Sequence, residues 1–144
     1  DGSAKAPLDP PRKAMGDLLG NAVRFGHAQD VMAAGEGIET VLSLRQILPK
    51  MPMIAALSAG HLAAILFPAT LRRLYIIRDN DPAGDGAGDS LIARAHEAGI
   101  EPITLSPILG DFNDDLLGPG LEALRAQVRG QLAPEDVSRF MDLR

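Results

Sequence analysis

Short apolar runs that predict β-strands are followed by acidic residues, which are Glu36, Asp79, Asp81 and Asp111. Ligands of open parallel α/β sheets bind where the carboxyl ends of the strands meet, so we expect these side chains to converge. Residues i and i+2 of an extended segment point to the same side, which lets Asp79 and Asp81 face one ion while Asn80 faces away. Carboxylates without histidine or cysteine partners favour a hard cation, Mg²⁺ or Mn²⁺. A bound pair of such ions can promote phosphoryl transfer.

The elements that must position these residues alternate between strand and helix from residue 21, which is typical of a parallel sheet with crossover helices. Strands are predicted at 31–34, 53–57, 73–78 and 101–105, with a short leading strand at 21–25. Helices are predicted at 38–48, 61–67 and 82–98 and within 120–131, and a loop is predicted over 106–115. The pattern predicts an α/β fold with a central, mostly parallel four-stranded sheet flanked by helices.

Two helices have predicted buried faces. In the 38–48 helix, the apolar residues at helical spacing are Ile38, Val41, Leu42 and Leu48. In the 82–98 helix, they are Ala87, Leu91, Ala95 and Ala98, and Gly99 is the expected stop.

The length of 144 residues suits one globular domain. Residues 1–20 contain three prolines and little periodicity, so we predict a linker or an N-terminal arm there. The domain is predicted at 21–131, and 132–144 is predicted as a C-terminal tail or a short helix. Because the chain opens with Asp1 rather than methionine, we expect it to be a fragment of a longer protein.

Charge and composition exclude several classes of function. A formal net charge of -5 argues against a free-standing nucleic-acid binder, which usually carries a basic stripe for phosphates. Zero cysteines exclude disulfides, thiolate zinc sites and a cysteine nucleophile. No apolar run has the length of a membrane span and no signal peptide opens the chain, so we expect a cytoplasmic protein without a membrane partner.

Each acidic motif also has a purely structural interpretation. Glu36 could be a charge that interacts with the dipole of the helix after it. Asp79 and Asp81, followed by Pro82, could form a capped strand-to-helix turn. The segment 111–115 could be a polar turn that caps a short helix. Residues alone leave these alternatives open.

Three segments carry a family resemblance. Residues 35–40 (GEGIET) resemble the glutamate motif of Toprim domains, 79–84 (DNDPAG) are similar to their Asp-x-Asp motif, and 110–116 (GDFNDDL) resemble a segment near the end of primase-type Toprim domains. The motifs occur in the family's order and at the expected strand-to-helix junctions. The resemblance implies a Rossmann-like Toprim fold.

Among Toprim proteins, these segments and the turn at 57–60 (LSAG) most resemble primases of plasmids, phages and other mobile elements. The resemblance implies a DNA primase-type nucleotidyltransferase in DNA replication, which makes RNA primers from nucleoside triphosphates on a single-stranded DNA template. A replicative helicase domain or partner is a candidate partner in the full-length protein, and we expect no priming by this chain alone.

The resemblance also implies roles for residues. Glu36, Asp79 and Asp81 would be catalytic and would together bind Mg²⁺ or Mn²⁺, the two aspartates as ligands and Glu36 as a metal-linked acid or base. Asp111 would be an accessory metal ligand. Asn113 stands where many primases carry a second aspartate, and Gly110 where many carry lysine.

Two alternatives to a primase stay open. One is a Toprim module that binds a metal or a nucleotide without doing chemistry. The other is a nuclease or topoisomerase use of the same fold, although Tyr75, in a predicted buried strand, is a poor candidate for a topoisomerase nucleophile.

Overall fold

The computed structural model describes residues 22–141, which form a sheet covered by helices on both faces. The strands are β1 (Val23–Phe25), β2 (Val31–Gly35), β3 (Met53–Ala55), β4 (Arg73–Ile77) and β5 (Glu101–Leu105). The helices are α1 (Ile38–Arg45), α2 (Ala59–Ala63), α3 (Pro82–Glu97), α4 (Phe112–Leu117), α5 (Leu121–Arg129) and α6 (Pro134–Phe140).

The five strands are ordered β1-β3-β2-β4-β5. The four strands from β2 to β5 are parallel, and the short leading strand β1 adds an antiparallel edge next to β3. The predicted α/β class with a mostly parallel sheet is confirmed. After β2 the chain continues to β3 on one side of the sheet, and after β4 it continues to β5 on the other side. The connections that follow the neighbouring parallel strands β2 and β4 therefore run to opposite sides. Such a switch point opens a crevice at the C-terminal edge of the sheet.

Successive side chains of each strand enter two different cores, because a strand alternates its faces. Val31 and Ala33 of β2 pack with helices α1, α4, α5 and α6, whereas Met32 and Ala34 pack with α2 and α3. The central strands are therefore buried on both sides. This double burial explains why β2 and β4 are nearly continuous apolar runs.

Helix α1 is shorter than predicted and exposes part of the predicted apolar face. It ends at Arg45, and Leu48 is buried in the turn that follows. Val41 is buried as expected, but Ile38 and Leu42 are 37% and 43% exposed. The buried side of the helix also includes Thr40 and Ser43, whose hydroxyl groups are hydrogen-bonded.

Helix α2 begins and ends earlier than the predicted 61–67. Ser58 caps its start by accepting the amide of His61, and the side chain of Arg94 binds the carbonyl groups of Ala63 and Ile65 near and just after its end. These donors replace the amides that a longer helix would supply. Strand β3 likewise ends at Ala55 rather than at 57.

Helix α3 follows the prediction in length and stops at Gly99, whose φ is 75°. Its sheet side consists of Ala87, Leu91 and Ala95, but Ala98 is exposed because it lies in the turn after the helix. The predicted loop over 106–115 is wrong in its second half. Helix α4 begins there at Phe112, because Asp111 caps it.

The C-terminal segment packs against the sheet. Asp136 of α6 is fully buried and accepts hydrogen bonds from Arg73 and Tyr75 of β4. Phe140 and Met141 are 6% exposed and join the core that contains α1. The limits predicted for the arm, domain and tail stay predictions, and residues 1–20 lie outside the described residues.

Across residues 22–141, no helix combines the length and the apolar character needed to cross a bilayer.

Candidate metal centre

Three of the predicted site residues meet at the C-terminal edge of the sheet. Glu36 follows β2, and Asp79 and Asp81 lie in the connection between β4 and α3. One carboxylate oxygen from each residue lies within 4.8 Å of the corresponding oxygens of the other two. Glu36 and Asp79 are partly buried and Asp81 is exposed. We call these three residues the acidic group. They lie at the crevice that the switch between β2 and β4 creates.

The backbone before Glu36 is tightly packed. A Cβ atom on Gly35 would lie 3.1 Å from Cβ of Ile77 and 3.2 Å from Cγ2 of Val41, so a larger residue would push these side chains aside. Glycine therefore lets β2 approach β4 and α1 closely. This packing fixes the point at which Glu36 leaves the sheet.

The backbone after β3 also holds Glu36. The amide of Leu57 donates to the Glu36 carbonyl oxygen at 2.7 Å. Leu57 has a φ of 79°, and its residue surface is 56% exposed. A left-handed conformation costs a bulky residue about 1–2 kcal/mol. Backbone strain of this kind often lies at functional sites.

The ionisation of Asp79 is strongly perturbed by its surroundings. Burial, followed by the charges of Asp111, Glu36 and Asp81, raises its pKa to about 6. A long hydrogen bond from the Thr40 hydroxyl, at 3.5 Å, opposes this shift. The carboxylates thus repel one another, and a cation bound among them would relieve the repulsion.

Thr40 was not identified from the sequence as part of the site. It is 4% exposed and lies on the sheet side of α1, one turn after the Gly-Glu-Gly segment. A hydroxyl residue on the buried side of an amphipathic helix is the sequence signal that could have revealed it. Its contact with Asp79 connects the loop after β4 with α1.

Asp111 lies beside the acidic group and also caps α4. Its Oδ1 accepts the amide of Asp114 at 2.8 Å, as the structural interpretation of this motif predicted. Its charge is nevertheless the largest of the three carboxylate influences on the pKa of Asp79. Asp111 is not a member of the group of three whose oxygens meet. Capping uses one carboxylate oxygen and leaves the other for a second role.

Both polar atoms of the Asn80 side chain have hydrogen-bond partners outside the acidic group. Its side-chain amide donates to the carbonyl oxygen of Leu109, and its oxygen accepts from the guanidinium of Arg78. Arg78 also pairs with Asp85, with 2.7 Å between Nε and Oδ1.

Two further residues bear on the predicted chemistry. Asn113 accepts a hydrogen bond from Ser43 at 3.2 Å, which joins α4 to α1. Tyr75 is fully buried, and burial followed by the hydrogen bond to Asp136 raises the pKa of its hydroxyl well above the ordinary value. It is therefore as poor a nucleophile as the sequence predicted.

The donor set of the acidic group consists of carboxylate oxygens. Hard divalent cations prefer such ligands, and the mutual repulsion described above supplies the electrostatic reason to bind one. The residues present therefore fit a divalent metal ion.

Comparison with known proteins agrees with this geometry. The family model described as Toprim domain matches residues 31–122. No curated protein matches the chain in sequence.

Two solved structures share the fold. One is the Aquifex aeolicus primase (zinc binding and RNA polymerase domains), with a TM-score of 0.52 and 21% identity over 72% of this chain. The other is a DNA primase domain from Pseudomonas aeruginosa, with a TM-score of 0.51 and 22% identity over 71% of this chain. The matches span 26% and 33% of those two chains, so this chain corresponds to about a third of them or less.

The matched region includes β2 to β5, the acidic group and Asp111, and it extends over more than half of the chain. The predicted family is therefore confirmed: this chain belongs to the Toprim domain family.

Proposed function

We propose that this Toprim domain is the metal-binding catalytic part of a DNA primase, a nucleotidyltransferase that makes RNA primers on a DNA template. The observation that carries the proposal is the meeting of Glu36, Asp79 and Asp81 at the switch between β2 and β4. The resemblance of its motifs to primases, and the two primase structures that share its fold, favour this function over the other uses of Toprim domains.

In this proposal, Asp79 and Asp81 hold Mg²⁺ or Mn²⁺, and Glu36 is the third carboxylate beside the ion and acts as an acid or base. Asp111 is an accessory ligand through the oxygen that does not cap α4. A bound divalent ion would stabilise negative charge on the oxygens of the phosphoryl group that is transferred. Thr40 holds Asp79 from α1, and the tight packing of Gly35 sets the position of Glu36.

Template and nucleotide binding are assigned to other parts of a longer protein. The chain has a formal net charge of -5, which does not favour contacts with many phosphates. Primer synthesis needs a template and two nucleotides held in register, and positioning supplies much of such catalysis. We therefore propose that flanking segments bind the single-stranded DNA template and the nucleoside triphosphates. A replicative helicase domain or partner, the cytoplasmic location and the mobile-element origin stay predictions.

The experiment is a primer-synthesis assay on single-stranded DNA with labelled nucleotides and Mn²⁺. It compares the present chain with the longer protein that contains it. We expect synthesis by the longer protein only, and loss of that synthesis in Asp79→Asn. Asp89→Asn is the matched control, because Asp89 is an exposed aspartate of α3 outside the acidic group.

Other outcomes have clear meanings. If the longer protein is active and its Asp79→Asn variant is equally active, the catalytic assignment is wrong. If the longer protein binds Mn²⁺ through the acidic group but makes no primers, a non-catalytic module that binds a metal or nucleotide is the better description. Synthesis by the present chain alone would contradict the assignment of template binding to flanking segments.

A further inference from the structure

Asn80 connects the segment that holds Asp79 and Asp81 to the loop that holds Asp111. Its backbone amide donates to the carbonyl oxygen of Gly110 at 2.9 Å, and its side-chain amide donates to that of Leu109. We call residues 106–111, which follow β5, the Asp111 loop. Asn80 thus holds two consecutive carbonyl groups of this loop, directly before Asp111.

The orientation of the Asn80 side chain is set by its partners. Arg78 places Nη1 on the Asn80 oxygen, while its Nε and Nη2 bind the two carboxylate oxygens of Asp85 at 2.7 and 3.3 Å. A guanidinium is only a donor and a carbonyl is only an acceptor, so the amide oxygen must face Arg78 and the amide nitrogen must face Leu109. An aspartate at position 80 could not donate to Leu109. The position therefore requires a side chain that both accepts and donates.

The Asp111 loop is also held from its other side. Asp115, which is 1% exposed, accepts the amides of Ile108 and Leu109, each at 2.8 Å. The backbone amide of Leu109 thus donates to Asp115, and the backbone carbonyl of Leu109 accepts from Asn80. A segment held in this way has little freedom to move Asp111 relative to Asp79.

We propose that Asn80 is a positioning residue of the metal centre, which fixes the Asp111 loop against the segment carrying Asp79 and Asp81. The inference rests on the proposed function, because it assigns Asp111 a part in holding the ion. Asn80 itself is not assigned as a ligand, because Arg78 and Leu109 engage both polar atoms of its side chain. It acts through Asp111, whose position beside Asp79 depends on the loop.

The first test measures Mn²⁺ affinity by calorimetry for the wild type, Asn80→Ala, Asp111→Asn and the double variant. Loss of a residue that orients a metal ligand typically weakens affinity by about 10-fold or more, and we expect about 10-fold for Asn80→Ala. In the Asp111→Asn background, the same change should cost less than about 2-fold, because the loop then carries no carboxylate to place beside the ion. Asn80 is exposed, so these variants are expected to fold.

Gln131→Ala provides a matched control. Gln131 binds both the amide and the carbonyl group of Ser106, at 2.7 and 3.0 Å, and so anchors the opposite end of the Asp111 loop. We expect a change of less than about 2-fold in Mn²⁺ affinity, because Asn80 and Asp115 still hold the segment next to Asp111. An effect as large as that of Asn80→Ala would mean that any loosening of the loop matters, and it would overturn the specific role of Asn80.

A second measurement does not depend on metal. Hydrogen exchange of the Ile108 and Leu109 amides in the metal-free protein should be at least about 3-fold faster in Asn80→Ala. Unchanged exchange would overturn the inference. This inference alone fails if the wild type binds Mn²⁺ and Asn80→Ala binds it equally tightly. It also fails alone if Asn80→Ala weakens Mn²⁺ binding as much in the Asp111→Asn background as in the wild-type background. If the wild type binds no Mn²⁺, the proposed function fails and the inference fails with it, whatever the exchange rates.

Discussion

Replacing Asp79 by asparagine should stabilise the metal-free protein at neutral pH. The wild-type carboxyl group has a pKa of about 6 in the folded chain, against an ordinary value of 3.8. Above about pH 6 the folded protein must therefore hold a carboxylate that burial and the neighbouring charges of Asp111, Glu36 and Asp81 disfavour. The asparagine side chain would have a similar size, carry no charge, and keep an oxygen that can accept from Thr40.

The size of the effect follows from the two pKa values. Their difference corresponds to about 3 kcal/mol when the group is ionised in both states. Asp79 is only partly buried, and asparagine retains the cost of burying a polar group, so we expect a gain of about 1–2 kcal/mol at about pH 7.5.

The pH dependence has a definite sign. Because the folded-state pKa is raised, the stability that protonation of Asp79 contributes is fully present below 3.8 and is lost as the pH rises through about 6. The advantage of Asp79→Asn should therefore shrink towards zero near about pH 4.

Urea unfolding in the presence of a chelator measures the stability gain of Asp79→Asn at neutral pH and again near about pH 4. Asp89→Asn controls for the change in net charge. A loss of stability in Asp79→Asn at neutral pH, or a gain that is equally large at both pH values, would refute the reasoning.

Three further predictions concern stability measured by urea unfolding. Leu57→Gly should stabilise the chain by about 1 kcal/mol, since it relieves a left-handed backbone at an exposed position; a loss would show that the leucine side chain packs in the fold. Gly35→Val should cost about 1–3 kcal/mol, because its Cβ would press on Ile77, and an unchanged stability would refute the close packing. Asp136→Ala should cost about 3–5 kcal/mol, because it removes the buried carboxylate that accepts from both Arg73 and Tyr75 and leaves Arg73 only exposed partners, whereas the exposed Glu135→Ala should cost much less; equal losses would contradict this assignment.

The sheet and the acidic loops were predictable because local patterns encode them. Strands β2 and β4 are apolar runs that end in acidic residues, and parallel strands bring their carboxyl ends to one edge. The positions of Glu36, Asp79 and Asp81 beside one another follow from this topology. Their roles as metal ligands and catalytic groups stay proposals.

Contacts between distant segments account for what the sequence did not reveal. The early end of α2 depends on Arg94, which lies in α3, and the burial of Thr40 depends on its contact with Asp79. The sequence around Asp136 predicts an exposed residue of a tail. It is buried instead, because Arg73 and Tyr75 provide its hydrogen bonds. No periodicity in a single segment reports such partners.

The most direct test of the central claim is a calorimetric titration of the chain with Mn²⁺ at neutral pH. The account predicts binding with a millimolar or tighter dissociation constant, and loss of that binding in the double variant Asp79→Asn with Asp81→Asn. Asp89→Asn should bind as the wild type does, because Asp89 lies outside the acidic group. Undiminished binding in the double variant would show that these carboxylates are not the metal site.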